Sequence, residues 1–171
     1  MIHAVVAIAL VLAQQPARAA PPCVSRAEAA DMVLFMLPTF VDRVGDRCRN
    51  SLPQTSFLTS NGRAFAERVR REGGDRWPSA RNVLKRIAGD RIPPFLGDET
   101  LRRMSLEAIG AKIIEDVKTK DCEAIDEAFG LLAPLPVDNI GRLGALFVAE
   151  GGSRKDNSSG VAFTVCPSPS A

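Results

Sequence analysis

Apolar residues recur along most of this chain at intervals of three and four, the spacing that gathers them on one face of an α-helix. The first such stretch opens after Ser25, which forms a capping box with Glu28. In that motif the hydroxyl and the carboxylate each satisfy a backbone N–H that the first helical turn leaves unpaired. Ala30, Val33, Leu34, Leu37, Val41 and Val44 then define a stripe, and Met32, Phe35, Met36 and Phe40 widen it until most of the circumference is apolar. A helix hydrophobic nearly all round belongs in the middle of a bundle. Its Met and Phe side chains are therefore expected in the core rather than around a ligand cavity. Pro38 removes one backbone donor and predicts a kink.

Five further helical segments follow. Residues 62–72 turn Phe65, Ala66 and Val69 inward and end at Gly73-Gly74. Trp77-Pro78 opens a short third helix that uses Val83, Leu84 and Ile87, with proline placed where a missing donor does no harm. The fourth segment, capped by Asp98, carries Leu101, Leu106, Ile109, Ile113 and Val117, and Ser105 is a point at which it can divide into two helices. The fifth buries Ile125, Ala128, Phe129 and Leu132 before Pro134 and Pro136 stop it. The sixth, capped by Asp138, runs through Ile140, Leu143, Phe147 and Val148, and Gly141 with Ala145 lets a neighbouring helix approach closely. Residues 50–60 are polar, contain Pro53 and read as loop. Residues 151–160 turn to Gly, Ser, Asn and charge, and 161–166 are β-prone but too short for an independent strand. The expected fold is all-α: a single small bundle of about six helices over residues 20–150, followed by an extended tail, 151–171, pinned by Cys166.

The amino-terminal segment has a different character. Residues 4–13 are apolar and uncharged, Gln14-Gln15-Pro16 breaks the run, and Ala17-Arg18-Ala19 supplies the small-x-small pattern read by signal peptidase. The expectation is a signal peptide over 1–19 and a mature chain starting at Ala20. Removing 19 of the 171 residues leaves 152, enough for one domain with one core. The apolar run falls well short of the roughly 20 residues that span a bilayer, so no transmembrane segment is expected in the mature chain. Pro21-Pro22 ahead of Cys23 argues against lipid modification of that cysteine. Arginine outnumbers lysine 17 to 5, the usage of a GC-rich bacterial genome, which makes the destination the periplasm or the medium.

Compartment changes the meaning of the cysteines. Cys23, Cys48, Cys122 and Cys166 are an even set in an exported chain and imply two disulfides. Cys23 and Cys48 bracket the first helix, whose rise of about 30 Å keeps them apart. With six helices alternating up and down, parity favours Cys23–Cys122 with Cys48–Cys166. A split at Ser105 reverses the parity and gives Cys48–Cys122 with Cys23–Cys166.

The chemistry is bounded mostly by what is missing. The one histidine, His3, lies in the signal peptide, and there is no tyrosine. Serine–histidine and cysteine–histidine catalysis and histidine-ligated metals are thereby excluded from the mature chain. No paired Cys-x-x-Cys, Gly-x-Ser-x-Gly, Ser-x-x-Lys or calcium-loop pattern occurs, so no metal and no cofactor is expected. Charge is uneven: residues 63–103 hold eleven basic and six acidic side chains, and residues 104–150 hold four and nine. One consequence is a candidate basic face of Arg68, Arg70, Arg71, Arg76 and Arg81 beside Trp77, suited to an anionic lipid or glycan. The other, favoured here, is that the two stretches pack together and neutralise each other. Glu123, Asp126 and Glu127 share one face of the fifth helix, and Asp90 and Glu115 are distant partners for carboxylate catalysis of the kind that cleaves glycosidic bonds. The leading expectation is an exported interaction module that meets an envelope protein or an anionic envelope component, not nucleic acid. The alternative is a carboxylate-dependent hydrolase acting on envelope glycans.

Overall fold

The computed structural model describes residues 23–152 and 164–166, apart from the side chains of 90, 113, 151, 152 and 164. The expected signal peptide, its expected cleavage point before Ala20 and most of the expected 151–171 tail lie outside these residues. The described part is all-α, with seven α-helices: α1 Arg26–Cys48, α2 Phe57–Ser60, α3 Gly62–Gly73, α4 Trp77–Ala88, α5 Asp98–Asp116, α6 Cys122–Leu132 and α7 Val137–Gly152. The capping box at Ser25 forms as the sequence dictates, with Glu28 N donating to the hydroxyl and Ser25 N to the carboxylate. No helix among the described residues is long and apolar enough to cross a membrane.

α1 is the axle of the molecule and stays one element through Pro38. It touches α3, α4, α5 and α7, which is why its apolar surface runs most of the way round. Two core clusters sit along it. One gathers Leu37, Val41 and Val44 with Phe65 and Val69 of α3, Phe129 of α6 and Ile140 of α7. The other gathers Met32 and Phe35 with Trp77, Ala80 and Val83 of α4, Leu101 of α5 and Ala145 of α7. Met36 and Phe40 pack against these clusters.

The disulfides are Cys23–Cys166 and Cys48–Cys122, which corrects the favoured pairing of Cys23 with Cys122 and Cys48 with Cys166. The reason is α4, not a break at Ser105, where α5 is continuous. α3 runs back along α1, its start beside Val41 and its end close to Asp31 by way of Arg76. α4 was expected to reverse that direction. Instead it stays at the amino-terminal half of α1, with Trp77 stacked near Phe35 at 5.3 Å and Arg86 paired to Glu28. α5 therefore has to climb. Leu101 begins beside Trp77, Glu107 pairs with Arg43, and Val117 O accepts from Arg47, which delivers Cys122 to Cys48.

Three other expectations change. The 50–60 loop contains a turn of helix, α2, whose Leu58 is buried. Thr164–Val165 finds a strand partner after all, pairing in parallel with Cys23–Val24, and Cys166 N donates to Val24 O at 2.8 Å. The tail is thus pinned by two residues of ladder as well as by a disulfide. On α7, Ile140, Gly141 and Ala145 face inward as the pattern predicts, but Phe147, expected in the core, is 75 % exposed. Ala128 of α6 is likewise exposed.

Candidate functional site

The predicted basic face does not assemble. Trp77, meant to accompany it, is buried in the second core, and its Nε1 donates to Asp98 at 2.8 Å. Arg81 binds the other oxygen of Asp98 at 3.0 Å. Arg76 donates to Gly73 O and forms ion pairs with Asp31 and Asp138, each at 2.9 Å. Arg68 lies over the Phe65 ring at 5.4 Å and donates to Leu135 O. Arg70 pairs with Asp42. Arg71 is exposed, with a long 4.0 Å contact to its neighbour Glu72.

Nor do the two oppositely charged stretches neutralise each other directly. Arg70 of α3, Arg76 between α3 and α4, and Arg86 of α4 turn to the α1 acids Asp42, Asp31 and Glu28. Arg43 and Arg47 of α1 in turn meet Glu107 of α5 and the carbonyl of Val117, just past its end. The first helix mediates both halves, and Asp138 is the acidic exception that reaches an arginine directly.

The carboxylate set on α6 is also divided. Asp126 accepts from Phe57 N at 3.2 Å and Leu58 N at 2.6 Å, and so caps α2 from a distance of about seventy residues along the chain, 68 and 69 positions away. Ser56, at the local N-cap, makes no such bond. Glu123 and Glu127 are exposed, and Glu115 sits beside Lys112. Among the described residues no group of three or more metal-ligating side chains is close enough to hold an ion.

What the sequence reading did not single out is a cleft of about 560 Å³ between α1 and α7. Small residues open it: Ala27 and Ala30 on α1 face Ala145 on α7, with Leu34 and Leu146 completing the apolar lining. One end is closed by the Asp31–Arg76–Asp138 ion triad, which is saturated within the protein. Arg26 and Arg142 line the cleft too, are exposed, and make no hydrogen bond or ion pair with another described residue. The sequence signal was the small-residue spacing on the last helix, but its partner could not be named without knowing that α7 crosses α1. A second hollow, between α1 and the α2–α3 segment, is lined by Asp42, Asp46, Arg49 and Arg70, already joined as the ion pairs Asp42–Arg70 and Asp46–Arg49.

No protein-family model, no curated protein and no solved structure is detectably similar to this chain.

Proposed function

We propose that this protein is an exported, non-catalytic binding module of the bacterial envelope, and that the α1–α7 cleft is its binding site. Export is supported by the apolar run at residues 4–13 with Ala17-Arg18-Ala19 behind it, and by four cysteines all engaged in disulfides. The observation that carries the binding reading is the cleft. Its volume lies within the range of ligand sites, about 300–1,000 Å³, and it combines an apolar lining with a few charged groups, two of them without a partner among the described residues.

The hydrolase alternative has less to stand on. Catalysis by paired carboxylates needs two acids facing one substrate bond. Of the α6 acids, Asp126 is occupied by backbone donors, and in the cleft Asp31 and Asp138 are both held by Arg76.

Photo-crosslinking in cells tests the site. A photoreactive residue at Ala27, in the cleft, should capture a specific adduct, whereas one at the exposed Ala124 on α6 should not. Equal labelling at both positions, or none at Ala27, would overturn the assignment. Intact-mass analysis of the exported chain tests the compartment: a mass that retains His3 rejects it.

A further inference from the structure

We infer that the ligand of the α1–α7 cleft is a single-chain amphiphile with an anionic head, its hydrocarbon lying between the helices and its carboxylate or phosphate meeting Arg26 and Arg142. The inference rests on the cleft being the binding site and adds the chemistry of what it binds.

Charge complementarity carries the choice. Of the three arginines at the cleft, Arg76 has its charge met twice over, by Asp31 and Asp138 at 2.9 Å. Arg26 and Arg142 have no acid to meet among the described residues, and one comes from each wall. Guanidiniums without an acid at a cleft favour a carboxylate or phosphate, whose oxygens match their donors. Apart from these arginines and the two acids that Arg76 holds, the lining is alanine and leucine, whose side chains offer a polar ligand no hydrogen bonds and an alkyl chain a favourable exit from water. The apolar lining reaches the surface at Leu146, which is 45 % exposed. A free anion would leave that lining unused, and a neutral hydrocarbon would leave both arginines unused. An anionic amphiphile uses both.

Calorimetric titration of the mature, disulfide-bonded protein tests this with four probes below their aggregation limits: decanoate, decyl phosphate, decanol and inorganic phosphate. Both decyl anions should bind one per chain, at least about tenfold more tightly than decanol or inorganic phosphate, the equivalent of about 1.4 kcal/mol. A preference for decanoate points to a free fatty acid as the source, and one for decyl phosphate to a phospholipid fragment. The double substitution Arg26→Gln, Arg142→Gln should bring the anions down to the decanol level. Ala27→Trp should abolish binding of all the decyl probes. Because these three positions are exposed, circular dichroism should show the fold retained. Decanol binding as tightly as decanoate, inorganic phosphate binding as tightly as decyl phosphate, anion binding indifferent to the arginines, or no binding of either anion would each overturn the inference. If the Ala27 crosslink still captures a partner while the decyl anions fail, the cleft remains the site and the amphiphile is wrong.

Discussion

At the scale of single residues, the approach of α7 to α1 is set by two hydrogen atoms. A Cβ on Gly144 would lie 2.6 Å from Val33 Cγ1, and one on Gly141 would lie 2.8 Å from Leu34 Cγ and 3.2 Å from Ala30 O. Val33 is β-branched and has little freedom to move aside. Alanine at 144 gains up to about 1 kcal/mol of helix propensity, but overpacking costs about 1–3 kcal/mol, so the net effect is destabilising. Gly130 in α6 offers the contrast. Its nearest neighbour, Phe57 Cβ, is 3.9 Å from the added atom, ordinary contact, so propensity wins there. Gly144→Ala should therefore lower the thermal midpoint and Gly130→Ala leave it unchanged or raise it. A Gly144→Ala variant as stable as the parent would mean the helices do not cross this closely. Acid sensitivity is also a residue-scale property. The Trp77 indole and then Arg81 hold the Asp98 carboxyl below its ordinary range. Burial pushes Glu28 upward, but hydrogen bonds from Arg86 and Ser25 outweigh it and leave that carboxyl lowered as well. A carboxylate with a depressed folded pKa contributes stability above its ordinary value, about 4, and loses it as the pH falls through the folded value. Asp98→Asn should thus be less stable than the parent at about pH 6, with the gap narrowing toward about pH 3, below the ordinary carboxylate range. A gap of constant size across that interval would show that the charge on Asp98 is not what holds α4 to α5.

At the scale of elements, α2 exists because α6 caps it. Four residues make one turn, too few to hold themselves against the cost of nucleation. Asp126 supplies the acceptors that a local N-cap would otherwise provide. Asp126→Ala should cost about 0.5–2 kcal/mol, the usual effect of removing a cap, and should speed hydrogen exchange at the Phe57 and Leu58 amides. Unchanged exchange there would mean the turn is held by Leu58 packing alone. This tertiary cap explains why a helical pattern could not be read in residues 50–60. The same reassignment of acids runs through the other elements. Asp98 and Asp138 sit at helix starts, where they read as caps, yet their carboxylates go to Trp77 and Arg81 in one case and Arg76 in the other. Local patterning located the helices well, because the 3.6-residue period is written in each segment by itself. On α7 it found the close-approach face at Gly141 and Ala145 but placed Phe147 inward, because a large apolar residue is scored as core whether or not a partner covers it. The candidate site was the least legible part. The arginines chosen from the charge run were mostly spoken for by acids distant in sequence, and the two that line the cleft without an acid among the described residues, Arg26 and Arg142, belong to helices more than a hundred residues apart along the chain.

At the scale of the whole molecule, each disulfide fastens one of the two cores strung along α1. Cys48 and Cys122 are members of the first core, 0 % and 1 % exposed. Cys23 is exposed, and its bond to Cys166 closes the short ladder at the margin of the second core, where Val24 and Val165 pack. In the chain-entropy view each bridge is worth about 4–5 kcal/mol, and the pair separated by 143 residues outranks the pair separated by 74 by only about 0.6 kcal/mol, since each doubling of a loop adds about that much. Burial reverses that order. Replacing Cys48 and Cys122 by alanine deletes two buried sulfurs and leaves a void in the first core, at about 1 kcal/mol each, whereas the Cys23 side is already in contact with water. Cys48→Ala with Cys122→Ala should therefore lower the urea midpoint more than Cys23→Ala with Cys166→Ala, although it opens the shorter loop. Because α1 passes unbroken through both cores, Trp77 fluorescence, which reports the second core, should still fall together with helix content after either change. Peptide mapping without reduction should recover Cys23–Cys166 and Cys48–Cys122. If the outer bridge proves the costlier to lose, loop closure outweighs packing in this fold, and the strand-pinned tail contributes more to stability than the first core's sulfurs do.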